Sequence, residues 1–373
     1  MKITSVKTMN YSYPVKDVFG NSGKWNTSRN CVIVAVETDV GITGYGESDA
    51  AGGPTSVTAQ IVREELAPRI IGMDPLCREE IWLKSYKASM IHGRRGAVVA
   101  ALSGIDVALW DITGKALGQP IYKLLGGARQ KVLAYHSGGF YRQDVPDEWY
   151  AEEARRGKEA GFRAFKMKIG RYSQQHDANR VRLVREAIGP DAKLMVDANS
   201  SYTAKEAVAM AKRLEPYDIF FFEEPVSAND PAGSARVAAA TTIAIAGYET
   251  EHTRYGFLPL IAGNAVDVVQ CDVIRSGGYT ECSKIAALAS AYQLPCTAHI
   301  FSSGLSLLAN LHFVTGVENG FMLECEPNEN PLRTNMFKDF HLELDAEGYV
   351  SVPEAPGLGA TINFDAIEPY RIG

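Results

Sequence analysis

The sequence predicts an α/β protein built on a (β/α)8-type TIM barrel with an α+β capping domain. Beyond residue 126, short apolar runs alternate with helical patterns of about 10 to 15 residues, and eight such runs occur. Strands that alternate with helices are typical of parallel βαβ units. Eight units in succession favour a closed barrel over an open sheet. A polar residue at or just after the end of nearly every run indicates one functional rim.

The first 126 residues have a different pattern and predict the capping domain. Residues 1–48 alternate like the strands of a short antiparallel sheet, and helical patterns follow at 54–67, 74–87 and 93–117. Residues 19–26 are rich in glycine and polar side chains, which predicts a mobile loop. The turn-rich tail, residues 336–373, is expected to pack back on this domain. The predicted domains are therefore residues 1–126, the barrel at 127–335, and the tail.

Each predicted barrel strand is a run of three to six mostly apolar residues. Parallel strands covered on both faces have this near-continuous apolar character. The eight predicted strands are residues 132–135, 164–169, 194–196, 219–222, 242–246, 266–270, 296–298 and 321–323.

Composition excludes several classes of function. The formal net charge of -6 argues against a nucleic-acid or anionic-membrane binder. The sequence has no run of 18 apolar residues that would predict a membrane span, and its N-terminus has no apolar signal-peptide region. The six cysteines include no C-x-x-C pair, which favours reduced thiols in a cytoplasmic protein.

Lys166 and Lys168 lie two residues apart within the second predicted strand. Side chains at positions i and i+2 share one face of a strand, so both ammonium groups point the same way. The intervening Phe165, Met167 and Ile169 form the opposite, apolar face that a helix would cover. Buried ammonium groups require an anionic partner or the loss of a proton. The alternative is a solvated pair on an edge strand, which the apolar flanks disfavour.

Three carboxylates follow successive strands at equal spacing. Asp197, Glu223 and Glu249 are separated by steps of 26 residues, about one βα unit each, so they are expected on one rim. Carboxylates this close repel one another unless a cation lies between them. Oxygen ligands with room for water and substrate favour Mg²⁺. The alternative is three unrelated surface carboxylates.

The spacing continues to Asp272, His299 and Glu324 on the last three strands. A carboxylate beside an imidazole fixes its tautomer and raises its basicity, so Asp272 and His299 form a candidate dyad. A histidine bonded to a backbone carbonyl is the alternative. With Lys168 on the second strand and His299 on the seventh, a substrate would have a proton-transfer group on each face. Lys166 and the metal are expected to lower the pKa of Lys168 and to stabilise an enediolate.

This set of residues resembles the enolase superfamily and its mandelate racemase subgroup. The helix from Ala101 to Asp111, continuing to Gly126, is similar to the family's helix signature. The resemblance implies Lys168 and His299 as acid/base groups, Lys166 as an electrostatic partner and Asp272 as the residue orienting His299. The same resemblance implies that Glu324, protonated or through shared protons, hydrogen-bonds an oxygen of the substrate carboxylate. It also implies that the loop at 19–26 closes the site, with Trp25 and His92 as candidate substrate contacts. A homo-oligomer, from dimer to octamer, is expected.

Residues 324–333 and the Arg94-Arg95-Gly96 sequence resemble the acid-sugar branch of the subgroup. Polar side chains expected near the barrel mouth suit a polyhydroxylated substrate. They are His136, Ser137, Tyr141, Asn199, His252 and Arg275. The leading hypothesis is a Mg²⁺-dependent dehydratase of an aldonate or aldarate. The alternatives are a lactone cycloisomerase or a racemase using the same enolate, and, remotely, a non-catalytic binding barrel.

Overall fold

The computed structural model describes residues 1–50 and 53–373. The chain begins with an antiparallel sheet of three long strands, β1 (Ile3–Gly20), β2 (Trp25–Thr38) and β3 (Thr43–Ser48), with β2 in the centre. The short strand β5 (Tyr141–Arg142) adds to the end of β1. The first two strands extend through most of the predicted loop at 19–26, so that only residues 21–24 form the turn of a long hairpin.

Helices of the capping domain follow the sheet. The stretch predicted as one helix at 54–67 consists of α1 (Thr55–Gln60), a π-helical segment (Ile61–Leu66) and α2 (Ala67–Ile70). The next two helices, α3 (Arg78–Gly93) and α4 (Ala97–Leu117), begin four residues later than predicted. Residues 74–77 are instead a turn in which Leu76 N donates to Asp74 Oδ1, and Gly96 has φ +72°, outside the helical region.

Helix α4 packs directly against β3 through small residues. A Cβ atom at Gly46 would lie 2.2 Å from the Gly104 carbonyl oxygen, and one at Gly104 would lie 2.2 Å from Ser48 Oγ. Glycine at these positions therefore lets the two backbones touch. Helix α4 is long and apolar enough to cross a membrane, but 89% of its apolar window is buried inside the protein. This burial accounts for its apolar character.

Eight parallel strands close the barrel, as predicted. Their order around the barrel follows the chain, and the last strand pairs with the first. The observed bounds lie within two or three residues of those predicted. The strands are β4 (Lys131–Gly138), β6 (Ala164–Lys168), β7 (Lys193–Asp197), β8 (Ile219–Glu223), β9 (Ala244–Gly247), β10 (Val268–Cys271), β11 (Cys296–Ala298) and β12 (Gly320–Cys325).

Helices cover the outside of the barrel and bury the apolar faces of its strands. After a short α5 (Ile121–Leu124), one longer helix follows each of the first seven barrel strands. These are α6 (Glu148–Glu159), α7 (Gln174–Ile188), α8 (Ala204–Leu214), α9 (Pro231–Ala239), α10 (Thr253–Ala262), α11 (Gly278–Ala291) and α12 (Gly304–Gly316). Only the four-residue α13 (Pro331–Thr334) follows the eighth strand.

The tail contacts both parts of the molecule. Strand β13 (Tyr349–Ser351) pairs antiparallel with β4 of the barrel. Beyond the short helix α14 (Phe364–Ile367), Arg371 bridges Tyr11 of the capping sheet, and Ile372 N donates to Asn10 O at 2.8 Å. The six cysteines are all free thiols, and only Cys77 is exposed.

Candidate active site

Backbone register brings the predicted polar residues together at one end of the barrel. Lys168 pairs with Asp197 across β6 and β7, and Asp197 pairs with Glu223 across β7 and β8. Side chains at paired positions of neighbouring strands lie side by side on the same face. Glu249 follows the end of β9, and Asp272 and His299 each follow their strand by one residue. The carboxyl ends of the strands therefore carry one contiguous polar cluster.

Asp197, Glu223 and Glu249 form a carboxylate cluster that fits a divalent cation. Each offers an oxygen atom within 4.8 Å of the others. Two oxygen atoms of this cluster, Glu223 Oε1 and Glu249 Oε2, are buried and accept no hydrogen bond from residues 1–50 and 53–373. His299 Nε2 lies 3.3 Å from Glu249 Oε2. Burial and the charge of Asp197 raise the pKa of Glu223 well above its usual value. Buried acceptors without donors, held close together, suit a cation with oxygen ligands.

The two lysines of β6 contact different carboxylates. Lys166 Nζ lies 2.7 Å from Glu223 Oε2 and 2.7 Å from Glu324 Oε1, whereas Lys168 pairs with Asp197. Both side chains are buried, so neither belongs to a solvated edge. Burial lowers the pKa of Lys166, whereas the charges of Glu223 and Glu324 raise it. The net pKa lies well above the usual value. Lys166 is therefore a permanent cation of the site.

Lys168 differs from its sequence-based expectation in the direction of its pKa. Burial lowers this pKa most, and Lys166 lowers it too, as predicted, but the carboxylates of Asp197, Glu223 and Glu249 together raise it by more. Among the protein groups alone the pKa of Lys168 is therefore raised rather than lowered. The expectation counted Lys166 as a neighbour without the direct pairing to Asp197. A cation held by Asp197 would compete with the ammonium group for that carboxylate and act in the opposite direction.

His299 and Asp272 form a hydrogen-bonded dyad. His299 Nδ1 lies 2.9 Å from Asp272 Oδ2, while Asp272 Oδ1 accepts from Asn310 Nδ2 at 2.9 Å and from Ile274 N at 3.1 Å. The carboxylate is thus fixed on both oxygens and directs Nε2 of the imidazole toward the carboxylate cluster. Burial lowers the pKa of His299, but Glu249 and the bond to Asp272 raise it above the usual value.

Glu324 is held in the ionised form by its protein neighbours, whereas the resemblance implied a protonated or proton-sharing carboxyl. Its Oε1 accepts from Ser137 Oγ at 2.6 Å as well as from Lys166, and its Oε2 accepts from Ile300 N at 2.9 Å. Burial raises its pKa, but Lys166, His299 and Lys168 lower it to about 2. The next acidic residue, Glu326, lies one position beyond β12 and pairs with Arg29 and with Arg333 at 2.7 Å. The two carboxylates at the end of β12 therefore have separate partners.

A cavity of about 770 Å³ opens above this cluster. Lys168 and His299 both line it, three strands apart around the barrel by way of β4 and β12. Of the predicted substrate contacts, Asn199, His252 and Arg275 also line it. Burial, followed by the charge of Arg275, lowers the pKa of His252 to about 4, so this imidazole is neutral at physiological pH.

The other three predicted substrate contacts lie outside this cavity. Trp25 stacks under Arg171, whose guanidinium carbon is 4.4 Å from the ring centroid. His92 is exposed on α3, with Nε2 3.1 Å from Glu65 Oε1. His136 is buried beside Phe162 and Phe165, because its position on β4 faces the surrounding helices rather than the barrel mouth.

Several cavity residues were not singled out from the sequence. Lys24 and Asn21 reach the cavity from the hairpin turn, and Asp49 from the end of β3. The aromatic rings of Phe140 and Phe301 form part of its wall. The polar turn beside Trp25 was the available signal for Lys24. Asp49 carried no signal, because its role depends on how the capping sheet sits over the barrel.

The fold and the site define an enzyme of the enolase type, with a carboxylate-lined cation site between a lysine pair and a histidine–aspartate dyad on a β/α barrel. The profile of the enolase C-terminal domain-like family matches residues 149–366, and that of the mandelate racemase/muconate lactonizing enzyme N-terminal domain matches residues 3–126. The chain belongs to the mandelate racemase subgroup of the enolase superfamily.

Relatives with assigned activities cover nearly the whole chain. The sequence is 40% identical to arabinonate dehydratase of Saccharolobus solfataricus over 95% of this chain and 94% of that protein. It is 38% identical to D-galactarolactone cycloisomerase of Agrobacterium fabrum over 100% and 99% of the two chains. The structure superposes with a TM-score of 0.91 on a racemase from Streptomyces coelicolor A3(2) with bound magnesium, at 29% identity over 99% and 100% of the two chains.

Proposed function

We propose that the protein is a Mg²⁺-dependent hydro-lyase that dehydrates a sugar acid, an aldonate or aldarate, to the 2-keto-3-deoxy acid. The observation that carries the proposal is that Lys168 and His299 line one polar cavity above the carboxylate cluster. Removing water from a 2,3-dihydroxy acid requires a base for the C2 proton and an acid for the C3 hydroxyl. The name of the relative from S. solfataricus supports the same reaction class.

Asp197, Glu223 and Glu249 are the residues that would hold Mg²⁺. When bound, the ion stabilises the negative charge that develops on the substrate carboxylate as the neighbouring carbon loses its proton. The magnesium in the S. coelicolor racemase structure supports this choice of ion.

Lys168 is the proposed base for the C2 proton. A cation held by Asp197 would compete for the carboxylate that raises the pKa of Lys168, and the amine could then accept the proton. Lys166 keeps its charge because Glu223 and Glu324 hold its pKa well above the usual value. It therefore presents a fixed positive charge to the carboxylate end of the substrate as negative charge accumulates there. Glu324 fixes Lys166 from the other side, at 2.7 Å.

His299 is the proposed acid, because its pKa is raised and it holds a proton to deliver. The C3–O bond breaks as Nε2 donates this proton to the leaving hydroxyl, which departs as water. The resulting enol takes up a proton at C3 and becomes the 2-keto-3-deoxy acid. Asp272 stabilises the imidazolium and orients its ring through the 2.9 Å bond to Nδ1.

Lactone cycloisomerisation is the second candidate function. The relative named D-galactarolactone cycloisomerase matches essentially the full length of both chains. The same removal of the proton from the carbon beside the carboxylate would then expel a ring oxygen instead of a hydroxyl. Racemisation would use the same two groups, with the proton returned from the opposite face. A non-catalytic barrel is disfavoured, because every member of the lysine pair, carboxylate cluster and dyad is present.

A substrate panel separates these reactions. The purified protein with Mg²⁺ is incubated in deuterium oxide with aldonic acids, aldaric acids and their lactones, and products are followed by proton NMR. A 2-keto-3-deoxy acid is the expected product. A ring-opened isomer formed from a lactone without loss of water would indicate the cycloisomerase, and inverted C2 with solvent deuterium the racemase. Absence of turnover throughout the panel would refute the sugar-acid proposal.

A further inference from the structure

We infer that the cavity is built for a dicarboxylate, an aldarate or the free carboxylate of its monolactone, and that Lys24 with Arg275 recognises the carboxylate remote from the reacting carbon. The inference rests on the proposed function and names the substrate class within it. Lys24 comes from the capping hairpin and Arg275 from the loop after β10, and both line the cavity.

The backbone of Lys24 is fixed over the barrel mouth. Asn21 Oδ1 accepts from Gly23 N and from Lys24 N, both at 3.0 Å, which shapes the turn. Arg171 Nε donates to Asn21 O at 2.7 Å, and Ser22 Oγ donates to Ala198 O at 2.7 Å. Loops that follow β6 and β7 therefore hold the turn at the cavity, which Lys24 lines.

Arg275 is held in place and its charge is compensated. Its Nε lies 2.8 Å from Asp49 Oδ2, and its NH1 group donates to the Glu249 carbonyl oxygen at 3.1 Å. The guanidinium group carries five N–H donors, and these two bonds do not use all of them. The remaining donors can bind a ligand. Asp49 thus orients the Arg275 side chain and leaves some of its N–H donors available.

Lys24 is a largely exposed cation at the cavity that has no direct ion-pair partner in the part of the chain that the structure describes. No carboxylate oxygen of residues 1–50 and 53–373 lies within 4.0 Å of its ammonium group, whereas Lys168 pairs with Asp197 and Arg275 with Asp49. Partial burial lowers the pKa of Lys24, as do Arg275 and Arg29, whereas Asp49 and Glu249 raise it, so charged groups of both signs surround it. An anionic ligand group at this end of the cavity would give the Lys24 ammonium group a direct ion-pair partner.

The hydroxyl end of an aldonate cannot supply that charge, but the second carboxylate of an aldarate can. Charge-assisted hydrogen bonds from an ammonium and a guanidinium to a carboxylate are about twice as strong as neutral ones. The neutral His252 imidazole beside them adds a hydrogen-bonding group without further charge. The volume of about 770 Å³ accommodates a hydroxylated diacid of this length.

The test compares matched diacids and monoacids. Values of kcat/KM are measured for galactarate against galactonate, glucarate against gluconate, and galactarolactone against galactonolactone. We expect the wild-type protein to prefer the diacid or its lactone. Lys24→Gln should lower the ratio of diacid to monoacid kcat/KM by about ten- to a hundredfold, chiefly through KM, and Lys24→Arg should restore much of it.

Lys16→Gln is the matched control, because Lys16 lies on β1, the strand that leads into the turn, is exposed, and pairs with Glu329 at 3.5 Å outside the cavity. Its diacid-to-monoacid ratio should equal that of the wild type. Equal losses for both substrate types in Lys24→Gln, abolished by added salt, would show a general steering charge and overturn the inference. Wild-type turnover of monoacids alone would also overturn it while leaving the proposed function intact. No turnover of either series would refute the proposed function itself.

Discussion

The Nδ1 atom of His299 lies 2.9 Å from Oδ2 of Asp272, and the second oxygen of this carboxylate accepts from the side chain of Asn310. The dyad is therefore held from behind by a residue of α12, which is itself buried. The imidazole can titrate only at Nε2, the atom that faces the cavity. This relationship leaves Nε2 as the nitrogen that can exchange a proton with a ligand, and it contributes, with burial and Glu249, to the pKa of the imidazole.

Asp272→Asn is expected to shift the pH dependence of the reaction. Removing a charge that raises the pKa of His299 lowers that pKa, so the limb on which activity is lost as the histidine deprotonates moves to lower pH. The amide also favours the wrong tautomer, and kcat should fall by about 10²- to 10⁴-fold. A pH–rate profile measures both effects. An unshifted limb would show that His299 does not titrate there.

His299→Asn is expected to separate proton exchange from product formation. Lys168 alone should still exchange the C2 proton with deuterium oxide, whereas loss of the C3 hydroxyl should slow by about 10²-fold or more. Proton NMR of substrate and product follows both processes in one sample. Lys168→Ala is the complementary variant and should abolish that exchange. Unchanged keto-acid formation in His299→Asn would contradict its role as the acid.

Glu249→Gln is expected to weaken Mg²⁺ binding at least about tenfold, or about 1.4 kcal/mol, because one of the three charged oxygen ligands becomes a neutral amide. Isothermal titration calorimetry with MgCl₂ measures the change. Glu251→Gln is a matched control, since that carboxylate lies two residues further on and pairs with Arg95 at 3.3 Å. Equal affinities in the wild type and Glu249→Gln would remove Glu249 from the ligand set.

Glu47→Gln is expected to flatten the dependence of stability on pH. Glu47 is buried under Ser303 and the Ser306 amide, and burial raises its pKa to about 7 in the folded protein, above its usual value. The folded state thus binds the extra proton, and the free energy of unfolding decreases as pH rises from about 4.5 to 7, by up to about 1.4 kcal/mol per pH unit.

Denaturant titrations at several pH values measure this slope. In Glu47→Gln the contribution is absent, so unfolding free energy should change less across the same interval. Glu148→Gln serves as the control, because Glu148 is exposed at the start of α6 and should leave the slope as it is. Parallel slopes in the wild type and Glu47→Gln would show that Glu47 titrates normally.

The barrel could be predicted from the sequence because its strands are short and buried on both faces. Their apolar runs are interrupted at few positions, among them Lys166 and Lys168, whose side chains pair with carboxylates of neighbouring strands. The same repeat placed Asp197, Glu223 and Glu249 on one rim, since one βα unit advances the chain by one strand.

Contacts from the capping domain could not be predicted in the same way. Lys24 lines the cavity while the adjacent Trp25 stacks under Arg171, and neighbouring residues at a strand end face opposite sides. Which of the two faces the barrel depends on the seating of a hairpin against loops 150 residues further along the chain. The direction of the Lys168 pKa shift could not be predicted for a related reason. It depends on the direct pairing with Asp197, and the sequence does not give the distance between the two side chains.

The four-residue turn that joins β1 and β2 has an evolutionary consequence. The groups proposed to move protons lie on barrel strands or directly after them, where the strand register fixes them. Lys24 lies in a connection that can lengthen, shorten or change composition without disturbing any strand. Selection can therefore alter which molecule is accepted and leave the reaction chemistry untouched. A protein with this fold therefore needs few substitutions, confined to one short segment, to accept a different substrate.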